Sequence, residues 1–214
     1  MTTRATYHRW LPLVATGACL VAVACGAPES ADPTEPLAQP VPPATQVDAE
    51  GDLAPPEQAR DAFTYDPAAA PVGAELSVEA DGSDGSTEVR LEVEGLVPNR
   101  GYAAHAHAQP CGPTGDAAGP HFQHRVDPAA GPGRPSTDPA YANPENEIWL
   151  DLRTDAEGDG EAGAVVPFAF TDRAPASVVI HAGEATATAP GEAGSAGGRV
   201  ACLNVPFDRA ANGG

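Results

Sequence analysis

Residues 74–96 read AELSVEADGSDGSTEVRLEVEGL and alternate apolar with polar residues on both sides of a centre rich in Asp, Gly and Ser. A period of two is the pattern of a half-buried β-strand, because successive side chains of a strand point to opposite faces of the sheet. The segments 74–80 and 87–96 are therefore predicted to be strands, and DGSDGS at 81–86 is predicted to join them in a hairpin.

Short segments of the same kind recur along the rest of the chain. The segments 148–154 and 162–170 flank DAEGDGE and predict a second hairpin; the remaining strand candidates are FTYD at 63–66, GYAAHAHA at 101–108, SVVIHAG at 177–183 and GRVACLNV at 198–205. No stretch has a helical period, and 24 prolines and 23 glycines favour many turns. The count of eight strands predicts an all-β fold, an antiparallel sandwich or flattened barrel.

Two connections between the predicted strands are long. The stretches 110–146 and 182–198 each begin close to a histidine, and the first is rich in Gly and Pro. Loops longer than about 12 to 15 residues in a compact domain are usually functional or disordered. We therefore expect these two loops to contribute to a functional site.

The N-terminal residues have the pattern of an export signal. Arg4 and Arg9 precede an apolar stretch at 11–24 that is too short to span a bilayer comfortably. LVAVAC resembles the end of a bacterial lipoprotein signal, which makes residues 1–25 the signal and Cys25 the lipidated residue; Cys19 is a second candidate. An ordinary cleaved signal, which would release a soluble secreted protein, is the alternative.

The chain after this signal divides into a tether, a domain and a short tail. Residues 26–61 are rich in Pro and acid and poor in large apolar residues, which predicts a disordered tether. The folded domain is predicted at 62–209 and the tail at 210–214. Cys111 and Cys202 are the two cysteines of the domain, and an exported chain with one such pair is expected to join them.

The net charge of −19 restricts the partners of the protein. An acidic surface repels nucleic acid and anionic lipid headgroups, so binding to either through phosphates is disfavoured. The predicted contact with a membrane is the N-terminal lipid.

The stretch GYAAHAHAQPCG at 101–112 places two histidines on one face of a strand. His105 and His107 are two residues apart, so their imidazoles project side by side and can chelate one metal ion. A histidine pair of this kind also occurs by chance on exposed strand faces, so the pair alone leaves both interpretations open.

Four motifs in order, AAHAHAQPCG, DAAGPHFQH, VVIHAG and GSAGGRVACLNV, resemble the copper/zinc superoxide dismutase family over residues 63–207. The resemblance implies an eight-stranded Greek-key β-barrel and conversion of superoxide to O₂ and H₂O₂ by copper redox cycling. It implies a disulfide between Cys111 and Cys202 and an anion-guiding role for Arg199. The implied copper ligands are His105, His107, His121 and His181, of which His121 is the residue that bridges copper and zinc in the family.

The zinc site departs from the family pattern, because no histidine lies between Arg125 and Asp151. The sequence therefore predicts copper as the cofactor and no zinc. Without zinc, a carboxylate is expected to hold the far nitrogen of His121. Glu147 is the first candidate, Glu145 and Asp151 are alternatives, and a surface position for Glu147 is equally open.

Two further residues or segments bear on the site. His124 is interpreted as a solvated loop residue, with a weak copper ligand or a residual zinc ligand as alternatives. The loop at 182–198 is short for the family and contains Glu184 and Glu192 but no lysine, so weaker substrate steering and an open copper site are expected.

The leading hypothesis is an exported, membrane-tethered, copper-only superoxide dismutase with superoxide as its substrate. The main alternative is a copper-binding or copper-storage lipoprotein without significant dismutase activity. A third hypothesis is a structural or adhesive β-domain that has kept the fold without the chemistry. No feature of the sequence predicts an oligomeric state.

Overall fold

The computed structural model describes residues 45–131 and 133–207. It contains ten strands and one short 3₁₀ helix, Gly115–Ala118. The strands are β1 (Thr45–Asp52), β2 (Ala62–Thr64), β3 (Glu75–Ser83), β4 (Ser86–Glu94), β5 (Gly101–Tyr102), β6 (Ala104–His107), β7 (Leu152–Arg153), β8 (Gly160–Val166), β9 (Ser177–His181) and β10 (Arg199–Asn204). Among the described residues, no helix is long and apolar enough to cross a membrane.

The strands form two four-stranded sheets and one small pair, and all of their pairings are antiparallel. The first sheet has the order β1-β3-β4-β8, and the second has the order β2-β10-β9-β6; β5 and β7 form the pair. The chain crosses between the sheets several times, as in Greek-key sandwiches. The predicted all-β antiparallel fold class is confirmed.

Alternating side chains of both four-stranded sheets fill one apolar core. Leu76 and Val78 of β3 and Leu91 of β4 are completely buried, and Ile180 and Leu203 of the second sheet belong to the same cluster. Since the period of a strand is two, the residues between these core positions face outward from the sandwich. The two sheets therefore present two different outer faces.

The outer face of the first sheet is acidic. Its outward positions include Glu75 opposite Glu94, Asp81 opposite Glu88, and Glu92 opposite Glu161. Like charges in directly opposed positions repel each other, so this face contributes solvation and net charge rather than stability. Three of the four histidines proposed as metal ligands, His105, His107 and His181, lie on strands of the other sheet.

The hairpin predicted at 74–96 is formed by β3 and β4. Ser83 pairs with Ser86, and the two residues between them, Asp84 and Gly85, both have positive φ, at 49° and 80°. Two left-handed residues make a tight turn whose twist matches that of the strands. Asp and Gly tolerate this conformation better than other residues, which explains the composition of the turn.

The predicted start of the domain at residue 62 is wrong. β1 spans Thr45–Asp52 and pairs with the whole of β3, from Thr45 opposite Gly82 to Asp52 opposite Glu75. Val47 and Leu53 are buried in the core. The sequence did not predict β1, because the segment is Pro-rich on both sides and has few apolar residues of its own. The strand is held mainly by backbone pairing to β3. The remainder of the predicted tether, at 26–44, lies outside the described residues, as do the signal at 1–25, Cys19, Cys25 and the tail at 210–214.

The predicted second hairpin is also wrong. β7 pairs with β5, whereas β8 pairs with β4, so the two segments belong to different sheets. The Asp155 side chain accepts hydrogen bonds from the backbone N–H groups of Glu157, Gly158 and Asp159 and turns the chain toward the first sheet. Alternation predicted the strands themselves, but their partners are distant in sequence.

The segment predicted as one strand at 101–108 forms two. β5 ends at Tyr102, and β6 begins at Ala104. The Ala103 N–H between them donates to the Gly183 carbonyl rather than to a neighbouring strand. The break lets β5 pair with β7 while β6 pairs with β9, and it accounts in part for ten observed strands where eight were predicted.

Candidate metal centre

Two strands and one loop bring four imidazoles together on the outer side of the second sheet. In β6, Ala104 and Ala106 face the core, so His105 and His107 point to the opposite side. His181 ends β9, the strand that pairs with β6. His121 lies in the long loop, where a backbone bridge to His107 fixes its position.

One nitrogen atom from each of the four histidines lies within 4.8 Å of the others. The Nε2 atoms of His107 and His181 are 3.3 Å apart, and the rings of His105 and His121 are stacked with centroids 3.9 Å apart. Four imidazole nitrogens at this spacing form a ligand set suited to copper, zinc or another transition metal. The structure thus brings together all four histidines that the sequence analysis selected.

Burial keeps three of these imidazoles, those of His105, His107 and His181, uncharged. Desolvation lowers the pKa of His105 and of His107 well below the ordinary value, and the neighbouring histidines lower the pKa of each further. Burial likewise lowers the pKa of His181 to about 3. A neutral imidazole has a free lone pair, so the site is ready to ligate a cation at neutral pH.

The far nitrogen of each ring has a hydrogen-bond partner. His107 Nδ1 lies 3.0 Å from the Gly119 carbonyl, and His181 Nδ1 lies 3.3 Å from the Gly197 carbonyl. The partner of His121 Nδ1 is a carboxylate, and that of His105 Nε2 is a hydroxyl, both described below. Such partners orient metal-ligating histidines and select their tautomer.

The hydrogen bonding of His105 Nδ1 indicates whether the cluster of four histidines fits a metal ion. His105 Nδ1 is buried and has no hydrogen-bond partner in the described part of the chain. Buried polar atoms without partners are rare, and each calls for an explanation. A metal ion bound by His105 Nδ1 and the near nitrogens of the other three rings supplies one, so the residues present fit a copper ion.

Glu147 occupies the position expected of a carboxylate beside His121. Its Oε2 atom lies 3.0 Å from His121 Nδ1 and accepts from Trp149 Nε1 at 2.8 Å, and its Oε1 atom accepts from Gln123 Nε2 at 2.8 Å. Glu147 is only 2% exposed. The carboxylate has three donors, and the alternative that it is a surface acid is wrong.

The other two acids proposed beside His121 lie elsewhere. Glu145 is exposed and does not contact the cluster. Asp151 accepts from the Thr186 N–H and the Thr186 hydroxyl, both at 2.6 Å, and the same hydroxyl lies 2.7 Å from His105 Nε2. Asp151 therefore reaches His105 through Thr186 and not His121.

Cys111 and Cys202 form the predicted disulfide, with 5.8 Å between their Cα atoms. The bond joins the long loop to β10, and the Asn204 side chain accepts from the Cys111 N–H beside it. The loop after Cys111 carries the Gly115–Ala118 helix and His121. The disulfide therefore holds the segment that supplies one of the four imidazoles.

Arg199 begins β10 next to the imidazoles. Its two terminal nitrogens donate to the carbonyls of Gly115 and Gly119 at 2.7 and 2.6 Å. The Gly119 carbonyl also faces His107 Nδ1, so the arginine and one imidazole share an acceptor. Gly119 has φ of +69°, and a Cβ there would lie 2.8 Å from the Gln109 side chain, so this position requires glycine.

Arg199, His121 and His181 line a pocket of about 510 Å³ that opens to solvent. The two long loops form its walls, with Pro135 and Ser136 from the first and Ser195 and Gly197 from the second. Both loops therefore contribute residues to the candidate site. Arg134 of the first loop and Arg173 of the β8–β9 connection lie at the same pocket as Arg199, whereas the 182–198 loop supplies no cation.

His124 does not belong to the imidazole cluster. It is exposed, and its ring stacks on Phe168 with centroids 4.4 Å apart. The prediction of a loop residue agrees with this position, although the ring packs against an aromatic side chain rather than lying free in solvent.

Sequence reasoning missed Thr186, Gln123 and Trp149. Thr186 contacts His105 across a sequence separation of 81 residues, and Gln123 and Trp149 both bind Glu147. The motif PHFQH contained Gln123, and EIW contained Trp149, but polar residues near a ligand motif have many possible orientations. Only the fold shows which of them reach the site.

Two solved structures resemble this chain at low identity. A superoxide dismutase-like protein from Bacillus subtilis, solved as a double mutant, aligns with a TM-score of 0.48 and 15% identity over 75% of this chain and 95% of that chain. The Cu/Zn superoxide dismutase from Brucella abortus aligns with a TM-score of 0.48 and 18% identity over 76% of this chain and 99% of that chain. No protein-family model and no curated protein matches the chain. Its function is therefore argued below from its own residues.

Proposed function

We propose that this protein is an exported superoxide dismutase that uses copper and no zinc. The observation that carries the proposal is the convergence of four imidazoles, one of them with an unpartnered buried nitrogen, next to an arginine that lines the same pocket. Imidazole ligands together with a fixed cation suit a redox metal that acts on a small anion.

The proposed metal ligands are His105 Nδ1 and the Nε2 atoms of His107, His121 and His181. In each ring, these are the nitrogens opposite the hydrogen-bonded ones. When copper is bound, it supplies the one-electron redox chemistry by which two superoxide anions and two protons become O₂ and H₂O₂. Four nitrogen ligands without carboxylate or thiolate favour copper among the divalent metals.

Glu147 supports the absence of zinc. Zinc ligation through His121 Nδ1 would require the carboxylate to leave that nitrogen, yet it is already held by Gln123 and Trp149. Glu147 keeps the proton of His121 on Nδ1 and leaves Nε2 free toward the pocket. The carboxylate thus performs the orienting role without a second metal.

Arg199 is the proposed substrate-binding residue. Its guanidinium is half-buried and held by two backbone carbonyls, so it presents a fixed positive charge at the pocket that also contains His121 and His181. In a chain with a net charge of −19, this local charge attracts an anion that the overall field repels.

The proposed location is outside the cytoplasm, with a lipid on Cys25 as the anchor. The disulfide between Cys111 and Cys202 supports an oxidising compartment. Mass spectrometry of the protein purified from its native membrane tests the anchor, because lipidation adds a diacylglyceryl mass to a chain that begins at Cys25. A soluble chain with an unmodified N-terminus would show that the anchor is absent.

The experiment that tests the activity combines metal content with dismutation rate. Residues 26–214, with the disulfide formed, would be loaded with copper, with zinc, or with both, and superoxide decay followed by stopped flow. One copper per chain, rapid decay with copper alone and no further gain from zinc are expected. Copper binding without faster decay would instead favour a copper-storage protein, and a folded, oxidised chain that binds no copper would favour a structural domain.

A further inference from the structure

Thr186 occupies an unusual position between a carboxylate and a proposed metal ligand. Its hydroxyl oxygen lies 2.6 Å from Asp151 Oδ1 and 2.7 Å from His105 Nε2. Thr186 is 8% exposed and His105 is completely buried, so water does not compete for these contacts. Within the described residues, this hydroxyl is the only partner of either ring nitrogen of His105, since Nδ1 has none.

The available protons determine the direction of the two hydrogen bonds that join Asp151, Thr186 and His105. A hydroxyl group has one proton to donate, and an ionised carboxylate can only accept. The Thr186 hydroxyl therefore donates its hydrogen bond to Asp151 Oδ1, 2.6 Å away, because two acceptor oxygens at that separation would repel each other. The hydroxyl then offers only a lone pair to His105, so Nε2 must carry the imidazole proton.

We propose that Thr186 is a positioning residue that fixes the Nε2–H tautomer of His105 before any metal binds. It donates its proton to Asp151 and can therefore only accept a hydrogen bond from His105 Nε2. This tautomer leaves the lone pair on buried Nδ1. His105 is the one proposed ligand that would bind the metal through Nδ1, whereas the other three would bind through Nε2. The inference rests on the proposed role of His105 as a metal ligand and assigns the residue that prepares it.

Other neighbours of His105 do not perform this function. The Trp149 ring lies edge-on to the imidazole at 5.8 Å, but its N–H donates to Glu147. The His121 ring stacks on His105, and its Nδ1 is held by the same glutamate. Neither group offers an acceptor or donor to a ring nitrogen of His105.

Thr186 also links the 182–198 loop, which lines the pocket, to the proposed metal ligand His105. It lies in the 182–198 loop, and its backbone N–H donates to Asp151 Oδ2 while its hydroxyl contacts Oδ1. The next residue, Ala187, exchanges backbone hydrogen bonds with Ser195 and Gly194 in the returning half of the loop. The loop conformation and the His105 tautomer therefore depend on one residue.

The primary test compares three variants of the metal-free, disulfide-bonded chain of residues 26–214. Thr186→Val removes the hydroxyl at nearly constant volume, Thr186→Ser retains it, and Thr87→Val is the matched control. Thr87, in β4 of the first sheet, is also buried, but its hydroxyl donates to the Phe168 carbonyl. The tautomer of His105 is measured from the ¹⁵N shifts of its ring in long-range ¹H–¹⁵N spectra.

The wild-type protein, Thr186→Ser and Thr87→Val are expected to show His105 protonated on Nε2. Thr186→Val is expected to show a mixture of tautomers and a copper affinity about 10- to 100-fold weaker, the usual effect of losing a partner of a ligating histidine. Copper affinity can be followed through quenching of Trp149, the one tryptophan of residues 26–214, in competition with a chelator.

Asp151→Asn provides a second variant with a different expected outcome. The amide can donate to the Thr186 oxygen, which turns the hydroxyl proton toward His105 and favours protonation of His105 on Nδ1. That tautomer blocks the ligand atom, so copper binding should weaken together with the switch in the ¹⁵N spectrum.

An Nε2–H tautomer of His105 in both Thr186→Val and Asp151→Asn would overturn the proposal. So would an unchanged copper affinity in Thr186→Val. The spectra need neither copper nor superoxide, so a protein without dismutase activity could still confirm the tautomer, and failure of the proposed function is distinguishable from failure of this inference.

Discussion

His121 Nδ1 and Glu147 Oε2 lie 3.0 Å apart across a sequence separation of 26 residues. The glutamate is buried and accepts from three side chains, whereas His121 faces the pocket on its other side. A buried carboxylate thus orients the imidazole through a hydrogen bond.

Replacing Glu147 with Gln should weaken copper binding about 10- to 100-fold. The amide nitrogen is a donor and cannot accept from all three donors that the carboxylate now binds. The hydrogen bond that orients His121 would therefore be weakened or lost. Chelator competition measures the affinity, and Glu145→Gln, on an exposed residue of the same segment, is the control. Equal affinities for the two variants would show that Glu147 does not orient the ligand.

Replacing Arg199 with Glu should lower the second-order rate of dismutation about 10-fold or more while copper remains bound. The change reverses the charge at the pocket where the substrate anion is proposed to bind. Stopped-flow kinetics over a range of ionic strength measures the effect. Arg90→Glu changes the net charge equally on the acidic outer face of the first sheet, so an equal loss in that variant would point to the global field instead.

Removing the disulfide by Cys111→Ser should destabilise the metal-free protein. The chain-entropy model predicts about 4 to 5 kcal/mol for a loop as long as the 91 residues between the cysteines. Urea unfolding of the variant and of the reduced wild-type protein measures the loss. A difference of less than about 1 kcal/mol would contradict the chain-entropy account of this disulfide.

The metal-free protein should lose stability as the pH falls below about 6.5. For His181, the unfolded chain binds a proton below that value, whereas burial lowers the pKa of the folded protein to about 3. Between these values the unfolded state holds the extra proton, so the unfolding free energy decreases with falling pH by up to about 1.4 kcal/mol per unit for this group.

His105 and His107, whose pKa values are lowered in the same direction, add to this slope. Urea unfolding at pH 7, 6 and 5 measures it. His181→Asn should flatten the dependence, and His124→Asn, at an exposed histidine outside the cluster, is the control. Identical slopes in all three proteins would contradict the burial of neutral imidazoles.

A chain of residues 62–214 should be much less stable than a chain of residues 41–214. The shorter chain lacks β1 and the buried side chains of Val47 and Leu53, which together contribute about 3 to 6 kcal/mol of apolar burial. Thermal unfolding of the two chains measures the loss. Equal midpoints would mean that β1 is dispensable and that the domain begins where the sequence alone indicated.

Several elements were predictable because their signal is local. The β3–β4 hairpin combines a period of two with Asp84 and Gly85 at its turn, and both features act between neighbouring residues. β1 and the partner of β8 were not predictable in this way. β1 has little apolar pattern of its own, and β8 finds β4 rather than the strand that precedes it.

The sequence by itself determined the residue types of the candidate metal centre and the all-β class, because ligand chemistry depends on side-chain type and strand periodicity is short-range. Only the tertiary structure decided which polar side chains hold those ligands. Glu147 reaches His121, and Asp151 reaches His105 through Thr186, although both acids begin from the same short segment. A hydrogen bond requires atoms about 3 Å apart, and separations of 26 and 81 residues are closed to that distance only by the packing of the loops onto the second sheet.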